Sequence, residues 1–98
     1  MHLQIPHKMT QVAAVSHIKK ALDENRSKLE GHATIEKEEW QDDTLNFAVD
    51  LQGKNITGTL SITDTEYVLD AKLPLLWRMF EGRIEAEVKK QIEAMTKN

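Results

Sequence analysis

Four histidines are the residues of this 98-residue chain best suited to acid–base or metal chemistry, because an unperturbed imidazole titrates near neutral pH. His7 is the first of them to consider. It stands where a first strand gives way to a helix, so its side chain could face a helix N-terminus or a pocket rim. A general base also needs a partner that fixes its tautomer, and no carboxylate stands at a readable spacing from His7. The competing reading is that His7 hydrogen-bonds the backbone of a turn. His2, His17 and His32 fall on a terminus, a polar helix face and a loop, at spacings that fit no zinc motif, and are read as solvated. Glu36-Lys37-Glu38-Glu39 and Asp42-Asp43 offer hard oxygen ligands, yet a solvated strand and a tight hairpin account for both. Cysteine is absent, which removes disulfides, thiolate catalysis and cysteine-ligated metal together. No glycine-rich phosphate loop, nucleophile elbow or metalloprotease motif is present. The expectation is a non-enzymatic protein with no metal and no cofactor, His7 being the catalytic candidate.

The other chemistry is apolar. Leu75, Met79, Gly82 and Ala86 fall at i, i+4, i+7 and i+11 with Leu76 on the flank, opposite a stripe of Trp77, Phe80, Ile84, Val88, Ile92 and Met95. A helix over 74–96 is therefore apolar or small on two sides in its first half. Gly82 inside a helix costs about 1 kcal/mol relative to Ala, which makes sense where another backbone approaches. Either this back face packs under the first helix or a loop, or it contacts a second subunit, an acyl chain or a hydrophobic surface. Trp40, Phe47, Trp77 and Phe80 are the residues that would face a lipophilic ligand held between sheet and helix; otherwise they anchor the core.

The elements that position these residues follow from changes of period along the chain. Leu3 and Ile5 alternate with polar residues before Pro6, giving an edge strand over 2–6. A helix over 10–30 buries Val15, Ile18, Leu22 and Leu29 on one face with Ala14 and Ala21, and Gly31 closes it. Strands at 44–52, 55–63 and 66–73 alternate strictly, so each has one dry and one wet face. The turns Asp42-Asp43, Gly53-Lys54-Asn55 and Asp64-Thr65 join an antiparallel meander. The strand at 33–41 breaks parity, since Ile35 is odd and Trp40 even, and a bulge is expected before Trp40. Pro74 can open the last helix without losing a hydrogen bond. The order β-α-β-β-β-β-α is an α+β fold: one antiparallel sheet with two helices packed on one face. It resembles a reduced helix-grip arrangement, the architecture of the Bet v 1-like proteins.

Composition bounds the rest. Thirteen basic and sixteen acidic residues leave a formal charge of −3, so no global field draws in nucleic acid. No run approaches the roughly 20 apolar residues that span a bilayer, and the N-terminus lacks a signal-length apolar segment. A single soluble, unexported domain is expected.

Several blocks together carry a family resemblance: His7 after the first strand, Trp40 with Asp42-Asp43 and Leu45-Asn46-Phe47, Gly58-Thr59-Leu60, Leu69-Asp70-Ala71-Lys72-Leu73, and Phe80 to Glu87. Over nearly its whole length the chain resembles the polyhydroxyalkanoic acid system (granule-region) family, most specifically in the last two blocks. Around His7 the match is looser, Lys8-Met9 standing where relatives often carry a small residue and a Leu-Gly pair. The resemblance implies a bacterial, cytoplasmic protein, at storage granules and linked to polyester metabolism. It brings no catalytic residue set. The expected mode of action is contact with granule polymer or granule proteins as a homodimer. The alternatives are a small lipophilic or acyl ligand between sheet and last helix, and acyl-thioester enzymology using His7.

Overall fold

Strict alternation along the strands builds one sheet with a dry face and a wet face. The computed structural model describes residues 1–96 and the side chains of 1–94. The elements are β1 (His2–Pro6), α1 (Gln11–Glu30), β2 (Thr34–Gln41), β3 (Thr44–Leu51), β4 (Lys54–Ile62), β5 (Glu66–Lys72), a 3-10 helix (Leu75–Phe80) and α2 (Glu81–Thr96). The five strands lie in the order β1-β5-β4-β3-β2 and every neighbouring pair is antiparallel. One dry cross-strand row runs Leu3, Leu69, Leu60, Leu45, Trp40, and the row beside it contains Ile5, Tyr67 and Ile62. Ile5, Ile62 and Tyr67 are the largest fully buried side chains, packed with Ala14 and Ile18 of α1.

The expected bulge is present. Register shifts between Ile35 and Lys37, which leaves Glu36 as the extra residue and turns both Ile35 and Trp40 toward the helices. Arg26 of α1 then reaches β2 with a two-pronged contact to Glu38, at 3.0 Å for each oxygen. These bonds, with a further one to Asp23, hold the guanidinium proton more tightly than usual. Lys19 Nζ lies 5.0 Å from the Trp40 ring centroid, a cation–π contact between the same two elements.

Element bounds differ from the sequence reading by a residue in several places, and two differences have physical content. The β3–β4 turn is Gln52-Gly53, not Gly53-Lys54-Asn55. Both residues have positive φ, +52° and +83°, as a two-residue hairpin with matching twist requires, and Gly53 N–H donates to Asp50 Oδ1 at 2.7 Å. The last helix does not run unbroken from Pro74. Pro74 is extended (φ −55°, ψ 145°) and precedes a 3-10 turn, after which α2 begins at Glu81. A 3-10 helix advances about 120° per residue against about 100° for an α-helix, so six residues move out of phase by roughly 120°. Phe80 therefore leaves the core stripe assigned to it and is exposed, whereas Ile84, Val88 and Ile92 are half-buried and the last two pack against the core. The side chain of Met95 lies outside the described residues. No described side chain of the 3-10 helix or α2 is fully buried. The Met1 amine bridges to this layer, donating to the Ala71 carbonyl oxygen at 2.8 Å and lying 3.1 Å from Glu81 Oε1.

Two glycines make opposite predictions. A Cβ at Gly58 would collide with the Asp70 carbonyl oxygen and come within 2.9 Å of Ala71 Cα and Phe47 Cζ. Gly58→Ala is expected to cost about 3 kcal/mol. At Gly82 nothing among the described residues lies within 4 Å of an added Cβ, so no described backbone explains that glycine, and Gly82→Ala is expected to stabilise by about 0.5–1 kcal/mol. Urea denaturation of the two variants measures both signs.

Candidate functional site

The 3-10 helix presents its large apolar side chains to solvent. Leu75, Leu76, Met79 and Phe80 are 75, 68, 82 and 55% exposed, while Trp77 between them is half-buried. Gly82 and Ala86 continue the exposed surface onto α2. The local cause is chain direction: β5 ends at Lys72, Leu73 is buried, and the extended Pro74 carries the chain out of the sheet layer before α2 turns back along it. Leu75, Leu76, Met79, Gly82 and Ala86, read from the sequence as an interaction surface, are each exposed, and a 3-10 helix rather than an α-helix carries the first three. That reading passed over the ionic frame. Lys72, Arg78 and Arg83 are all exposed around the apolar residues, and the signal lay in the run of Lys72 to Arg83, where Glu81 is the one acid.

Beside this segment lies an open groove of about 870 Å³. It is walled by Met1, His2, Thr57, Gly58, Thr59, Asp70, Ala71, Lys72 and Leu73 from the sheet side, and by Arg78, Glu81 and Glu85 opposite. His2 is not merely solvated, as the sequence suggested. It faces Asp70 across the β1–β5 ladder with Nδ1 and Oδ1 2.5 Å apart. A second concavity of about 190 Å³ lies between α1 and β2, lined by Lys19, Leu22, Asp23, Glu38 and Trp40. The aromatics expected to face a lipophilic ligand are not gathered in either space. Phe47 is half-buried over Gly58, Trp40 lies against Lys19, and Trp77 and Phe80 sit on the 3-10 helix.

His7 does occupy the strand–helix junction, and the backbone engages both of its ring nitrogens. Nε2–H donates to the Thr63 carbonyl oxygen at 2.8 Å, and Met9 N–H donates to Nδ1 at 3.1 Å. Thr63 O can only accept and Met9 N–H can only donate, which fixes this tautomer. The His7 backbone N–H donates to Thr65 O at 2.9 Å, and the ring lies 4.9 Å from that of Tyr67. Gln11 adds a side-chain bond to Ile62 O at 2.8 Å, and Thr10 caps α1 through Ala13 N–H at 3.2 Å. His7 thus laces the start of α1 to the β4–β5 turn. Among the described residues no group of three or more His, Asp or Glu side chains is placed to hold a metal ion.

The family model described as polyhydroxyalkanoic acid system protein matches residues 1–95. The chain belongs to that family. No curated protein and no solved structure matches it. Membership links the chain to the polyhydroxyalkanoic acid system by family name. No helix among its described residues is long and apolar enough to cross a membrane.

The lacing by His7 gives a test separate from any activity. His7→Ala removes two hydrogen bonds and a ring contact, and is expected to lower stability by about 2 kcal/mol. Chemical denaturation followed by far-UV circular dichroism measures this, and an unchanged midpoint would show that the loop holds without the imidazole.

Proposed function

We propose that this protein is a non-enzymatic member of the polyhydroxyalkanoic acid system that docks on the storage granule in the cytoplasm through its 3-10 helix. The observation that carries the reading is the exposure of Leu75, Leu76, Met79 and Phe80, four large apolar side chains within six consecutive residues. Scattered single apolar residues on a surface need no explanation, but a contiguous group marks a contact site. The rest of the fold could have hidden them. Leu73 is buried two residues earlier, and Val88 and Ile92 pack inward later.

Burial of a Leu or Met side chain against an apolar surface contributes roughly 1.5–3 kcal/mol each, so two or three such contacts suffice for useful retention. His7 supports the non-enzymatic side of the reading, because both of its nitrogens are occupied by backbone groups.

The test is recovery of purified protein with isolated granules. A Leu76→Glu/Met79→Glu variant changes two exposed residues, so the fold is expected to be retained, while partition into the granule fraction falls by roughly a hundredfold or more. Unchanged partition with an unchanged circular dichroism spectrum would sink this role for the segment.

A further inference from the structure

Resting on that docking reading, we infer that the surface entered by the 3-10 helix is a phospholipid layer with anionic headgroups, the apolar residues inserting and Lys72, Arg78 and Arg83 lying at headgroup level. The chain as a whole is acidic, with a formal charge of −3. Its one strongly apolar exposed segment nevertheless carries three cations, at its start, middle and end, with Glu81 the one acid between them, while Asp70 and Glu85 line the groove beside Lys72 and Arg78. Glu81 is itself 3.1 Å from the Met1 amine. Among the described residues Lys72, Arg78 and Arg83 enter no ion pair. Exposed apolar side chains framed by unpaired cations are the signature of an element lying in a membrane interface.

Charge also discriminates among the occupants this face could take. A bare polyester surface is neutral and offers nothing to three cations. A second copy of the chain, docked about a two-fold axis through the 3-10 helix, would bring Arg78 of the two copies into one contact, because Arg78 is exposed on that same six-residue element. Like charges brought together in a desolvated contact oppose that pairing. Anionic headgroups alone complement both components. The half-buried Trp77 on the same element has the amphipathic ring that favours the boundary between headgroups and acyl chains.

The deciding experiment is flotation of the full chain with protein-free vesicles of phosphatidylcholine, with and without phosphatidylglycerol, at low and high salt. Protein-free polyester particles and light scattering of the protein alone are run in parallel. The expected result is binding to the anionic vesicles that is at least tenfold stronger than to the neutral ones at low salt and weakens with added salt. Arg78→Gln and Arg83→Gln are each expected to reduce it about fivefold, and Met79→Glu to abolish it. Binding to polyester particles but to neither vesicle would overturn the lipid assignment while leaving docking by this segment intact. A stable dimer lost in Met79→Glu, without vesicle binding, would assign the face to a second copy instead. Vesicle and particle binding both unaffected by Met79→Glu would overturn the lipid assignment and the docking reading together.

Discussion

Everything in this molecule depends on covering the dry face of a five-stranded sheet with only two helices. The rows Leu3-Leu69-Leu60-Leu45-Trp40 and Ile5-Tyr67-Ile62 must be kept from water, and α1 covers their centre through Ala14, Ile18 and Ala21. The small side chains of α1 let it sit close to the sheet, and α2 supplies only half-buried contacts beside it. The site is a by-product of that division. The chain has to leave β5, pass the end of the sheet and return as α2, and the 3-10 helix is the segment that makes this passage. Its large apolar residues Leu75, Leu76, Met79 and Phe80 stay exposed instead of covering the sheet.

Much of the fold was legible because the strands obey a two-residue period without exception outside β2, where the odd Ile35 and even Trp40 announced a bulge. The break after Phe80 was not legible. Residues 75–80 are apolar on nearly every side, so an α-helical stripe could be drawn through them as easily as any other, and only the strict amphipathic pattern from Ile84 to Ile92 fixes a phase. The beginning of α2 at Glu81 is sensible afterwards, since an acidic residue is favoured in a first helical turn, but Pro74 supplied an equally good start. Similarly, Gln52-Gly53 and Gly53-Lys54-Asn55 both contain the glycine that the hairpin needs, and the choice between them rests on strand register.

The exposed apolar residues Leu75, Leu76 and Met79 could be set apart in the sequence since they fall outside the helical stripe. The groove beside them could not. It joins residues at the start of the chain to residues near 58, 70 and 81, and their meeting depends on β1 pairing with β5, which no local pattern encodes. The His2–Asp70 pair is hidden for the same reason.

That pairing also sets an order of events. Strands β2 to β5 are joined by tight turns and can zip together locally, whereas β1 reaches its partner only across most of the chain, as His2 opposite Asp70 illustrates. Closing so long a loop carries an entropic cost that must be met before its contacts repay it. The meander is therefore the natural nucleus, with β1 arriving late. Since β1 is the strand that pairs with the outer side of β5, the sheet exposes an open β5 edge until it arrives. During that interval β5 could pair with another chain's strand, so the slow closure of β1 is where aggregation competes with folding.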